Sequence, residues 1–226
     1  LHLAENLNLP AGNAKVGGFF SMWFHEQEEV VARLYTDEDE INTAIGDFLG
    51  IRHVKTFRRG LQWRTRTNAM PLVTAGQQPI FRDGLELLDG MTAEAFDPRR
   101  TVFLPSVLKN EINLSAQPDA VVTGLSVLPH EISCEVASPG ATMVVIAQNY
   151  YPNWTCRVNG RVASVYRSNN AFQSVVVPAG TNSVRLSYED RAFRFGAIIS
   201  AIALLAALVI WRRMKSVRAA STGAAA

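Results

Sequence analysis

The spacing of apolar and polar residues changes character along the chain. Over FFSMWFHEQEEVVARLY (19–35) the apolar positions Phe20, Trp23, Phe24, Val30, Val31 and Leu34 recur at helical intervals. The acidic run 37–40 follows. Read as chemistry it would hold a cation. Read as structure it opens a helix over 38–49, with Thr36 or Asp37 as its cap, the acids on its N-terminal dipole and Gly50 at its end; this second reading is adopted. Short β-like pieces come next at 51–57, 61–66, 71–75 and 79–81. A short helix near 84–88, a turn at Phe96-Asp97-Pro98 and a strand at 101–104 complete a mixed half.

From about residue 116 the texture is all β. Alternating or apolar runs occupy 120–128, 131–137, 143–148, 154–158, 161–166, 171–177 and 183–188. Turn residues separate them at Pro139-Gly140, Pro152-Asn153, Asn159-Gly160 and Pro178-Ala179-Gly180. Asn159-Gly160 is the sharpest of these signals, because a two-residue type I′ hairpin turn needs positive φ at both positions. Seven short strands at this spacing predict a β-sandwich of roughly 75 residues.

The pattern then breaks. Residues 195–211, FGAIISAIALLAALVIW, carry no charge, and Arg212, Arg213, Lys215 and Arg218 follow at once. At about 1.5 Å per residue the run makes a rod of roughly 26 Å, enough to cross a hydrocarbon core when flanking side chains such as Arg194 and Trp211 snorkel. A buried core helix normally keeps a polar stripe, and this run has only Ser200. The reading is a transmembrane helix. No acid follows it, whereas Glu189 and Asp190 offset Arg191 and Arg194 before it. The positive-inside tendency therefore puts residues 212–226 in the cytoplasm as a basic tail and residues 1–194 outside it. The final AASTGAAA reads as unstructured.

The expected organisation is mainly β with some α. Residues 1–15 form an incoming linker, 16–115 an α+β subdomain and 116–190 the β-sandwich subdomain, with only 189–194 joining the last strand to the membrane helix. The chain opens as LHLAENLNLP, with neither an initiating Met nor a secretory signal. For an extracytoplasmic domain, that is expected of a piece whose upstream helices supply membrane insertion.

Composition narrows the chemistry. A net charge of +2, with 19% charged residues among 226, gives no basic field for nucleic acid. Cys134 and Cys156 each sit in an alternating segment and point to a core; a disulfide and two buried thiols both remain open. The histidines His2, His25, His53 and His130 are scattered, and no metal, phosphate-loop, dinucleotide or nucleophile-elbow motif occurs. No cofactor, metal or catalytic residue is assigned. Asn113-Leu-Ser115 and Asn153-Trp-Thr155 match the glycosylation acceptor pattern, which matters only in a host that modifies it. Asp97 with Arg99 and Arg100 reads as turn and ion-pair structure.

One constellation carries a binding hypothesis. Tyr150, Tyr151, Trp154, Tyr166 and Phe172 lie with Asn169 and Asn170 in one stretch. Aromatic faces edged by amides suit sugar rings, which makes Tyr151, Trp154, Tyr166 and Asn170 the candidate carbohydrate-binding residues. Trp154 also alternates in phase with Cys156 and Val158, as a core residue does, so the structural reading competes.

These same residues carry a resemblance. Tyr151, Pro152, Trp154, Asn159, Gly160, Asn170, Phe172, Pro178, Ala179, Gly180 and Tyr188, followed by a final apolar helix, resemble the C-terminal end of the YfhO-like family of polytopic bacterial membrane proteins. FLGIRHV, and NAMPLVTAG through FDPRRTVFL, resemble its upstream segments; Asn153 stands where the family has glycine and His53 where it has tyrosine. The resemblance implies a GT-C glycosyltransferase architecture, with sugar moved from a polyprenyl-phosphate-linked donor to a cell-envelope glycan. It also implies the lipid bilayer and the protein's own upstream membrane helices as partners. The catalytic acid of such enzymes lies in an early extracytoplasmic loop, so none is carried over here. The rival expectation is a non-enzymatic, membrane-anchored envelope module for binding or assembly.

Overall fold

The computed structural model describes residues 24–37, 40–56 and 62–223. The expected linker 1–15 lies outside them. Helix α1 (His25–Leu34) leads into a two-stranded ribbon, β1 (Tyr35–Asp37) with β2 (Glu40–Ile41), and then α2 (Thr43–Phe48). The helix expected over 38–49 is thus shorter and starts later. Asn42, rather than Thr36 or Asp37, caps it by accepting a bond from the Ile45 amide at 3.0 Å. Strands β3 (His53–Thr56) and β4 (Gln62–Thr65) pair antiparallel. β5 (Val73–Ala75) precedes a β6–α3–β7 unit in which β6 (Gln78–Phe81) and β7 (Thr101–Leu104) pair in parallel across α3 (Gly84–Thr92).

The remaining strands are β8 (Val121–Leu128), β9 (Glu131–Ser138), β10 (Thr142–Asn149), β11 (Trp154–Val158), β12 (Arg161–Ala163), β13 (Tyr166–Ser168), β14 (Phe172–Val177) and β15 (Gly180–Tyr188). They build a five-stranded sheet in the order β12-β11-β15-β9-β8 and a four-stranded sheet in the order β13-β14-β10-β5. The strand expected over 161–166 is two strands in different sheets. The chain leaves the first sheet after Ala163 and enters the second at Tyr166. The expected boundary at residue 115 is bridged: β5, from the mixed half, is an edge strand of the four-stranded sheet, pairing Val73 with Ile146 on β10. Residues Leu1–Ser187 make one compact unit and Tyr188–Ala226 a second.

Two cores explain the sequence texture. Between the sheets, Val144, Ile146, Val175 and Val177 meet Ile132, Val136, Cys134, Cys156, Val184 and Leu186. The other face of the four-stranded sheet, with Met143, Val145 and Phe172, packs on Val30, Leu34, Ile45, Phe48, Leu88, Met91 and Leu104 from α1, α2, α3 and β7. A strand covered on both faces has no polar side to alternate with, and β10 accordingly reads as the unbroken run Met143–Val144–Val145–Ile146, all buried. β9 has one covered face, and its burial alternates strictly.

Asn159 (φ 51°) and Gly160 (φ 78°) form the expected tight turn between β11 and β12. Cys134 and Cys156 are both free, buried thiols in the inter-sheet core. Burial pushes the Cys134 thiol up to about 11; burial, and secondarily Cys134 itself, pushes Cys156 up to about 12.

The second unit is α4 (Arg191–Gly223), whose segment Arg191–Trp211 is long and apolar enough to cross a membrane. Its helical backbone runs on through the tail expected to be unstructured, as far as Gly223. It starts earlier than expected. Asp190 opens it, its carboxylate accepting from the Phe193 amide at 2.8 Å, so only Glu189 and Asp190 separate it from β15.

Candidate functional site

The predicted carbohydrate residues do not share one platform. Trp154 opens β11 and packs, partly buried, against the inter-sheet core. Tyr166 belongs to the other sheet and packs against the helical core. Its hydroxyl donates to Glu111 Oε1 at 3.0 Å, and burial together with that carboxylate raises its pKa.

Asn170 sits in the turn between β13 and β14 with φ 68°, beside Asn169 at φ 44°. Asn tolerates this left-handed backbone better than other non-glycine residues. The turn places both side chains for structural work. Asn170 Nδ2 donates to the Glu26 carbonyl and to Glu29 Oε2, each at 2.9 Å, which ties it to α1. Asn169 is buried, and its Oδ1 accepts from the Phe103 amide at 2.9 Å while its own amide donates to the Phe103 carbonyl at 2.8 Å. It thereby satisfies both backbone groups of Phe103 on β7.

Tyr151 is the member left at the surface, 38% exposed, with its ring 5.6 Å from that of Phe24. Arg167 pairs with Glu26 and lies with its guanidinium carbon 5.1 Å over the Tyr150 ring. Glu26 is held below the usual carboxylate range by a bond from its own backbone amide and by Arg167, against the opposing effect of partial burial. Asn149 Nδ2 adds a bond to Gln27. Tyr151 and Asn170 therefore do come together, around the first turn of α1, while Trp154 and Tyr166 lie apart on two sheets.

A second polar cluster was not legible in the sequence. Asp47, 5% exposed, faces Arg66 and Arg99, with Arg99 Nη1 3.1 Å from Oδ2 and Arg66 Nη2 on Oδ1. Arg66 also donates to the carbonyls of Ile51 and Thr43 at 3.1 and 3.0 Å, and Arg99 to that of Asn68. Both Asp47 carboxylate oxygens and all four Nη atoms have protein partners, which makes this a staple joining α2 to two loops. Asp97, expected to make turn and ion-pair structure with Arg99 and Arg100, accepts from the Arg99 backbone amide at its carboxylate, at 2.9 Å, and from the Arg100 amide at its carbonyl, at 3.0 Å. The i-to-far spacing of residues 47, 66 and 99 leaves no local pattern by which to find such a triad.

Among the described residues no group of three or more His, Cys, Asp or Glu side chains is placed to hold a metal ion. Two surface depressions among the described residues are open to solvent. One, lined by Val158, Asn159, Arg161, Val162 and Pro178, adjoins the β11–β12 turn and none of the predicted sugar residues; another lies by Arg82, Glu86 and Asp89.

One further relation locates the aromatic segment. Thr155 Oγ1 donates to the Ser187 carbonyl at 3.2 Å, so the start of β11, and with it the loop from Tyr151 to Trp154, lies at the end of the sheet where β15 leads into α4. No known protein family, characterised protein or solved structure matches this chain. The YfhO-like resemblance rests on its sequence motifs alone.

Proposed function

We propose that residues 1–194 are the extracytoplasmic part, and α4 the last membrane helix, of a polytopic glycosyltransferase of the YfhO-like, GT-C kind. Its chemistry lies in other segments. This part meets the sugar end of a polyprenyl-phosphate-linked donor, or the envelope acceptor, at the membrane surface. The observation that carries the reading is the position of the Tyr151–Trp154 loop. It adjoins Ser187, and two residues beyond β15 the membrane-spanning candidate begins. A lipid-linked sugar is confined to that level by its anchor, and an exposed tyrosine there offers a face for the ring. The cluster Arg212, Arg213, Lys215 and Arg218 supports a cytoplasmic C-terminus.

The rival, a non-enzymatic binding or assembly module, draws support in its assembly form from Tyr166 and Asn170, whose hydroxyl and Nδ2 are bonded to Glu111 and α1. The two are separated by assaying membranes that contain the full-length protein for sugar transfer from a labelled polyprenyl-phosphate donor. The enzyme reading expects transfer, and Tyr151→Ala raises KM for the donor with kcat unchanged. Absence of transfer, with glycan still retained by the membranes, favours the binding module. A Tyr151→Ala protein indistinguishable from the parent in KM removes the loop from the proposal.

A further inference from the structure

The strand at the outer edge of the five-stranded sheet is anomalous. β8, VVTGLSVL, carries no charge over its eight residues, and Val121, Leu125, Val127 and Leu128 are 53, 40, 53 and 51% exposed. Edge strands in water are normally blunted by charge, proline or a bulge, because an apolar edge pairs with other chains. Here the bulge at Gly124, between Thr123 and Ser126, interrupts the edge only at its middle. The beginning of β8 is tied down next to β5, since the Gln117 amide donates to the Gly76 carbonyl at 2.8 Å. Past the bulge, the exposed Leu125, Val127 and Leu128 lead into the Pro129-His130 turn.

Register shows where that end lies. Leu128 is opposite Glu131 on β9, and Glu131 is opposite Ser187 on β15. The tip of the β8–β9 hairpin is therefore two strand spacings, about 10 Å, from Ser187. From Ser187 the chain needs four residues to reach Arg191, at most about 14 Å of extended backbone. Val121 is at the opposite end of β8, roughly 23 Å away along the strand.

We propose that the tip of the β8–β9 hairpin, through Leu125, Val127 and Leu128, is a second membrane contact that enters the interfacial layer of the leaflet in which α4 begins. An apolar hairpin tip gains from leaving water, and the Glu131 carboxylate opposite Leu128 is neutralised by Arg185 at 2.6 Å. The short joint keeps it within reach. The inference rests on α4 being in the membrane, as proposed above, and does not depend on the sugar chemistry.

The test is parallax quenching on the full chain reconstituted in vesicles of phosphatidylcholine and phosphatidylglycerol, with a thiol-reactive fluorophore at one introduced cysteine. The sites are Leu128→Cys, Val121→Cys and Ile202→Cys. Leu128, Val121 and Ile202 are all exposed side chains, so the label does not disturb a core, and the two native thiols are buried. Lipids brominated near the headgroup end of the acyl chain are expected to quench the label at Leu128 and leave Val121 unquenched. Deeply brominated lipid is expected to quench Ile202. Quenching at Ile202 with none at Leu128 overturns the hairpin contact alone. Loss of quenching at Ile202 overturns both the contact and the membrane placement of α4. Leu128 emission that shifts with protein-to-lipid ratio but not with bromine assigns the edge to a second protein copy and equally overturns the contact.

Discussion

Replacing Asn169 separates two causes that the structure combines at one residue. The side chain satisfies the Phe103 amide, which is buried with its residue only 3% exposed, and the backbone sits at φ 44°. Asn169→Ala removes the acceptor, leaving a buried N–H unpaired at a cost of about 1–3 kcal/mol. It also puts a Cβ without local hydrogen bonding into the left-handed region, adding about 1–2 kcal/mol. The sum is about 2–5 kcal/mol. Asn169→Gly loses the same acceptor but relieves the backbone, so it should cost only the first part, about 1–3 kcal/mol. For a chain of this size each kcal/mol moves Tm by about 2–4 °C. The alanine variant should melt about 4–20 °C below the parent, with the glycine variant between them. The assay is thermal unfolding of the full chain in detergent, followed by near-ultraviolet circular dichroism. Alanine and glycine variants with the same Tm would refute the strain argument. A parent-like Tm for both would refute the buried bond to Phe103.

Other expectations follow from the same physics. Asp47→Ala leaves Arg66 buried opposite no charge and should cost about 3–5 kcal/mol, whereas Arg99→Ala, half-exposed, should cost about 1 kcal/mol or less by the same melts. Cys134 and Cys156 should resist a thiol reagent at pH 8 until denaturant is added, because their folded pKa values stand above the ordinary 9.0. By the same shifts the unfolded thiols ionise first, so their contribution to stability is complete below about pH 9 and declines as pH rises toward the folded values; a flat stability profile from pH 8 to 11 would contradict this. Trp154→Ala should lower Tm more than Tyr151→Ala, because the indole packs on the inter-sheet core whereas the Tyr151 ring is exposed beside Phe24. Gly76→Ala should destabilise strongly, since an added Cβ would stand 2.2 Å from the Gln117 carbonyl oxygen at φ 100°.

Local signals were legible wherever one residue pattern decides one element. Asn159-Gly160 specified its turn, the uncharged run to Trp211 specified a helix of spanning length, and the strict alternation of β9 specified a half-covered strand. The sequence failed where tertiary choices decide. Nothing local says that β12 and β13 belong to different sheets, because Ser164 and Val165 at the crossing carry no turn signal. The three-residue β5 joins the sandwich by pairing with β10, about seventy residues away, so the apparent change of texture near 116 marks no break between compact units. Asp47 had no nearby partner to announce its ion pairs. At the candidate site, residue types alone could not tell an amide that edges a ligand from one that caps a neighbour. Asn170 is bonded to α1 and Tyr166 to Glu111, and only Tyr151 keeps a surface face for the role all four residues were expected to share.

The account stands or falls on the membrane placement of α4. Alkaline carbonate extraction of membranes from cells producing the full-length protein tests it most directly. The account predicts that the chain stays in the membrane pellet, and that a form ending after Ser187 loses the contribution of this helix to retention. Release of the intact chain into the carbonate supernatant would contradict it.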